Sequence, residues 1–146
     1  GGACRRPRPR APAVEFRPVY PWNPLAPDIT LPRQAIWFRI GQNLPDDPML
    51  HRCLLAYATD FNLIGTALRP HGKSWYSLDM QVASLDHAVW FHRDARVDDW
   101  LLYCMDSPSA QAARGMTRGQ IFDRKGRLLA SVAQEGLMRE TPVKSA

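Results

Sequence analysis

The stretch DPMLHRCLLAYATDFNLIGTAL, residues 47–68, decides the fold. Asp47 can accept hydrogen bonds from the orphan amides of a helix start, and proline is tolerated at the first helical position, so a helix begins at Pro48. At about 100° per residue, Leu50, Cys53, Leu54, Tyr57, Phe61, Ile64 and Leu68 fall on one stripe, with Arg52, Thr59, Asn62 and Thr66 opposite. The periodicity predicts one long helix that ends near Leu68 to Pro70. A stripe this broad must be buried against another element.

The flanks supply that element. Gln34 to Ile40 has the aromatic and branched content of a strand, and the turn residues from Gly41 to Pro48 close it. Beyond Gly72, strand character runs from Met80 to Phe91, Asp98 to Met105, Ala112 to Phe122 and Arg127 to Met138. Asp123-Arg124-Lys125-Gly126 joins the last two as a hairpin turn, with glycine available for positive φ. A short strand, a long helix and a run of locally connected antiparallel strands make an α+β fold in which a curved sheet wraps one helix. This is hotdog-like architecture, although element order alone also allows other α+β folds.

The 146 residues suffice for one domain with a single core, and an apolar fraction of 45% is normal for a folded chain. Residues 1–14 read as a basic, proline-rich linker, 15–140 as the folded domain and 141–146 as a tail. Prolines from Pro7 to Pro32 argue against helix and most sheet pairing, with an extended lead-in around Glu15 to Tyr20. Much of the formal net charge of +5 comes from Arg5, Arg6, Arg8 and Arg10, and without them the remainder is close to neutral. A tail of this kind can contact a polyanion but is more often a solvated linker, so neither nucleic acid nor membrane is expected as a partner. Cys4, Cys53 and Cys104 form no CxxC pair, which argues against a disulfide framework or a zinc site and for a reducing compartment. No stretch approaches the roughly 20 apolar residues of a membrane span.

Three polar residues sit at the edges of apolar faces. Asp60 lies about 20° from Cys53 and about 40° from Ile64 on the helical wheel. An ionised carboxylate there needs hydrogen-bond donors or a wet cavity, which suits a general base and equally suits an aspartate satisfied by its neighbours. Ser84 shares a strand face with Val82, Asp86, Ala88 and Trp90 by alternation, where its hydroxyl can orient a water or carbonyl or simply be structural. Gln134 ends a row of Leu128, Ala130 and Val132, and its amide can hold water without adding charge or can sit at the sheet's rim. Ser84 and His87 should diverge on a strand unless a bulge intervenes, and no GxSxG elbow is present, which disfavours covalent serine catalysis. Asp86, His87 and His92 are likewise split between faces, so no metal or cofactor is expected.

The segments Tyr57-Ala58-Thr59-Asp60-Phe61-Asn62, Arg69-Pro70-His71-Gly72, Ala83-Ser84-Leu85-Asp86-His87-Ala88-Val89-Trp90-Phe91-His92 and Ala133-Gln134-Glu135-Gly136-Leu137-Met138-Arg139 closely resemble the acyl-CoA thioesterase II family, from about Arg17 to Arg139. The resemblance implies the carboxy-terminal half of a double hotdog, with catalytic roles on Asp60, Ser84 and Gln134. It implies hydrolysis of acyl-CoA to a free fatty acid and coenzyme A by a water that Asp60 deprotonates and Ser84 and Gln134 position. An apolar wall of Tyr57, Phe61, Ile64 and Trp90 is expected to take the acyl chain, and arginines near its mouth the coenzyme's phosphates. A lone hotdog exposes sheet edge and apolar surface, so a second hotdog domain is expected as partner, either the missing amino-terminal half or another copy in a homo-oligomer. The ending Lys144-Ser145-Ala146 is not a Ser-Lys-Leu signal, which leaves the cytoplasm as the expected location. The rival readings are a non-catalytic half-domain for acyl-CoA binding or dimerisation, and polyanion binding through the arginine leader.

Overall fold

The computed structural model describes residues 13–142. The arginine leader to residue 12, and residues 143–146, lie outside the described residues. Strand β1 (Val14–Pro18) pairs antiparallel with β2 (Arg33–Ile40), setting Phe16 opposite Phe38. The lead-in expected to be extended is thus a paired edge strand. Its only proline is the last residue, and an edge strand tolerates proline there.

Helix α1 (Pro48–Asp60) begins as its cap dictates, with Asp47 Oδ1 accepting from the amides of Met49 at 3.0 Å and Leu50 at 3.4 Å. The helical run reaches Leu68 but breaks once. Phe61 is extended, Asn62 takes a left-handed φ of 67°, and α2 (Leu63–Leu68) follows. Asparagine is among the few residues that adopt this conformation at small cost. A 3₁₀ turn, Arg69–His71, ends the segment.

The buried face is not the expected stripe. On α1 it comprises His51, Leu55, Ala58 and Thr59, and on α2 Leu63, Ile64, Thr66, Ala67 and Leu68, while Cys53, Tyr57 and Phe61 are exposed. The break shifts the phase between the two helices, and the buried polar residues find partners. His51 Nε2 donates to Pro45 O at 3.0 Å while its Nδ1 accepts from the Val97 amide at 3.1 Å. Thr66 donates to Asn62 O at 3.4 Å. A hydrophobicity pattern scores such residues as solvent-facing because it cannot see those bonds.

The remaining strands are β3 (Met80–Ser84), β4 (Ala88–Phe91), β5 (Leu101–Gln111), β6 (Arg114–Phe122) and β7 (Leu128–Glu140). The antiparallel sheet has the order β1-β2-β5-β6-β7-β3, and β4 also pairs with β7. The connections are therefore not all local. The chain leaves α2 for the far edge of the sheet, then crosses back so that β5 lies beside β2. The β6–β7 hairpin is local: the Asp123 amide bonds Arg127 O at 3.1 Å and Gly126 turns with φ of 79°.

Phe38, Leu55, Leu63, Tyr103, Ile121 and Val132 form the main core between helix and sheet. A smaller cluster packs Ile64, Ala67 and Leu68 on Met138. At Gly136 a Cβ would lie 2.4 Å from Ile64 Cδ1, so only glycine lets α2 approach β7 this closely. No helix among the described residues is long and apolar enough to cross a membrane.

Candidate active site

Asp60 is the last residue of α1, at a helix end whose dipole disfavours a carboxylate unless donors compensate. Two side chains supply them. Ser84 Oγ, from the end of β3, donates to Asp60 Oδ1 at 3.2 Å, and Gln134 Nε2, from the middle of β7, donates to the same oxygen at 2.9 Å. The three residues singled out in the sequence meet on one oxygen atom. Gln134 is 1% exposed, and its row continues inward through Gly136 and Met138, so it sits in the core and not at the sheet's rim. Its Oε1 is buried with no hydrogen-bond partner among the described residues.

The expected single strand from Met80 to Phe91 is interrupted at residues 85–87, and the interruption places a fourth residue. Leu85 donates its amide to Glu135 O at 3.0 Å, and Asp86 Oδ1 accepts from the Glu135 amide at 2.7 Å. The Asp86 side chain thereby takes over a partner that strand backbone would otherwise satisfy, and strict alternation ends there. His87 turns toward α1: its Nε2 lies 3.1 Å from Thr59 Oγ1 and its Nδ1 3.9 Å from Asp60 Oδ1. The Thr59 hydroxyl also lies 3.2 Å from Ala56 O, which it can reach as a donor. Nδ1 is buried and has no hydrogen-bond partner among the described residues. Sequence reading missed this residue because alternation sends it away from Ser84; its one available signal was an aspartate immediately before it that could interrupt the strand.

Beneath Asp60, Tyr103 donates from its hydroxyl to Thr59 O at 2.8 Å, fixing the last turn of α1 on β5. Burial, and to a lesser degree the Asp60 carboxylate, push the Tyr103 phenol well above its ordinary value. Around Asp60 the surface is open, with 51% of its side chain exposed. Asp60 and Ser84 line two clefts. One of about 410 Å³ is walled by Tyr57, Phe61, Leu85 and His87. The other, about 530 Å³, runs beside Ile36, Phe61, Trp75 and Tyr76 to Trp22 and Arg69. Of the expected apolar wall, Tyr57 and Phe61 line the clefts, whereas Ile64 is core and Trp90 lines a different cavity on the sheet. Among the described residues no three His, Cys, Asp or Glu side chains cluster as metal ligands would.

A helix packed into an antiparallel sheet, with a carboxylate at the helix break, defines a hotdog-fold protein. A hot dog fold structure from Alicyclobacillus acidocaldarius superposes on 89% of this chain with a TM-score of 0.65 at 17% identity, a likeness of fold alone. A family profile described as acyl-CoA thioesterase matches residues 13–137. The chain belongs to the acyl-CoA thioesterase family. It is 41% identical over 125 residues to acyl-CoA thioesterase 2 of Haemophilus influenzae, covering 86% of this chain and 44% of that protein. It is 37% identical to human acyl-coenzyme A thioesterase 8, covering 88% and 40% respectively. An acyl-CoA thioesterase II, TesB2, from Mycobacterium marinum superposes with a TM-score of 0.74 at 42% identity, covering 91% of this chain and 52% of that one. The chain spans about half the length of the relatives it matches.

Proposed function

We propose that this chain hydrolyses fatty acyl-CoA, with Asp60 as general base. The reading is carried by one observation: a carboxylate at a helix break that takes hydrogen bonds from Ser84 and Gln134 and opens onto clefts with aromatic walls. A water that donates one hydrogen bond to Asp60 has an oxygen lone pair left to attack. Ser84 and Gln134 hold that carboxylate in place, and half of its side chain faces solvent, where a water can reach it. The water oxygen attacks the thioester carbonyl carbon as its proton passes to Asp60. The C–S bond then breaks, the proton goes to the departing sulfur, and the products are a free fatty acid and coenzyme A. His87, whose Nδ1 lies 3.9 Å from Asp60 Oδ1, joins the trio as a positioning residue.

The partner in this reading is a second hotdog domain, from another copy or from further sequence. The exposed Tyr57, Phe61 and Leu85 around the carboxylate, and the outer edge of β3, are the surfaces for it to cover. Cys53 and Cys104 are free thiols, in keeping with a cytoplasmic setting.

The test is thiol release from medium- and long-chain acyl-CoA by the wild-type chain and by Asp60→Asn. Asparagine keeps an oxygen for Ser84 and Gln134 to bond but is no base. The rate should fall by about 10²–10⁴-fold without loss of fold. Hydrolysis by this route is excluded if a well-folded wild type and the variant are equally inert.

A further inference from the structure

Asp60 is the last residue of α1, so the candidate base points wherever the helix break puts it. Phe61 is extended and Asn62 left-handed there, and an unbroken helix would recover the backbone bonding that the break interrupts. Asn62 caps nothing with its own side chain. Its carbonyl is held instead from β2, where Gln34 Nε2 donates to Asn62 O at 3.0 Å. The second hydrogen of that amide goes to Thr66 Oγ1 at 2.8 Å, and the Thr66 hydroxyl, one turn into α2, reaches Asn62 O at 3.4 Å. One amide nitrogen thus bonds both the break and the helix after it, and both of its donors are committed.

An amide turned end for end has nearly the same shape, and the reversed orientation would set Gln34 Oε1 against the Asn62 carbonyl. Arg69 prevents it. A guanidinium has donors and no acceptor, so the Gln34 oxygen must face it, and Arg69 Nη2 donates to Oε1 at 3.0 Å. Arg69 is only 8% exposed and enters none of the ion pairs among the described residues. It is steadied by Thr30 Oγ1 at 3.5 Å and by the Trp22 ring at 4.5 Å. A buried charge without a counter-ion adds nothing to stability that an apolar side chain would not. Orienting an amide is a role that an apolar side chain cannot fill. Gln34, Asn62 and Arg69 all border the 530 Å³ cleft that Asp60 and Ser84 line.

We infer that Gln34 is a positioning residue for hydrolysis: oriented by Arg69, it holds the Asn62 carbonyl in the break and thereby fixes the Asp60 carboxylate against Ser84 and Gln134. The inference rests on Asp60 being the base.

Two substitutions separate this role from that of a merely structural amide. Gln34→Glu keeps the side-chain length and an oxygen for Arg69 but has no hydrogen to give Asn62 O. Gln34→Met has neither the oxygen nor the donor. Thiol release from acyl-CoA and thermal unfolding are followed for both. Positioning lowers kcat by about 10–10²-fold in both variants, the cost of displacing a reacting group by on the order of 1 Å. KM in the neutral Gln34→Met stays within about threefold of wild type. Only Gln34→Met, which leaves Arg69 without its main acceptor, melts lower, since the glutamate pairs with the guanidinium. A residue needed solely to satisfy Arg69 gives the opposite split, and wild-type kcat in Gln34→Glu overturns the inference.

Amide hydrogen exchange reads the same clamp without turnover. In Gln34→Glu the amides of α2 should exchange severalfold faster while those of β6 and β7 keep their rates. Unchanged exchange in α2 overturns the inference whatever the activity. If wild type itself is inert, the hydrolytic reading falls alone, and faster exchange in the variant still shows Gln34 holding the end of α1.

Discussion

Replacing Gln134 with methionine should separate stability from activity. The amide makes one bond to Asp60 at 2.9 Å, and a hydrogen bond to a charged group contributes about 1.5–3 kcal/mol. Solvent lowers that figure here, since half of the Asp60 side chain is exposed and Ser84 still bonds it. Against this loss stands Oε1, buried with no partner among the described residues, which costs about 1–3 kcal/mol. Methionine fills similar volume and carries neither group, so the two terms nearly cancel, and the melting temperature should stay within about 4 °C of wild type. Alanine would instead leave a cavity and cost about 2–5 kcal/mol. Hydrolysis should fall on the order of 10²-fold in the methionine variant, the usual cost of removing one group that orients the reacting atoms. Thermal unfolding followed by circular dichroism, with thiol release on the same samples, reads both quantities. A drop of more than about 10 °C would show that Oε1 is no burden to the fold. Hydrolysis within about threefold of wild type would show that the amide does not position the water.

Other expectations are as direct. Because burial raises the Tyr103 phenol above its unfolded value, the stability it contributes is whole below the ordinary tyrosine value and drains away as pH rises toward the folded one. Tyr103→Phe should therefore cost about 1 kcal/mol at neutral pH and lose less stability between about pH 9 and about pH 11, measured by denaturant titration. Gly136→Ala would set a methyl 2.4 Å from Ile64 Cδ1 and should destabilise by about 1–3 kcal/mol, partly recovered by Ile64→Val in the same melting assay.

Short-range physics wrote some of this protein directly into its sequence. Asp47 and Pro48 start the helix because cap and first-turn proline act within a few residues, and Asp123 to Gly126 makes its turn for the same reason. Asp60, Ser84 and Gln134 stood out because each is polar at the edge of an apolar face. Their meeting on one oxygen, with Gln134 74 positions from Asp60, belongs to tertiary structure alone. So do the helix break at Asn62, the burial of Thr59 and Thr66, and the placing of β3 beside β7. His87 shows the division most clearly. Alternation along a strand aimed it away from Ser84, and only the bond from the Glu135 amide to Asp86, across 49 positions, interrupts that strand and turns the imidazole toward the carboxylate. Partners that distant are chosen by the packing of the whole sheet, which no local pattern of residues encodes.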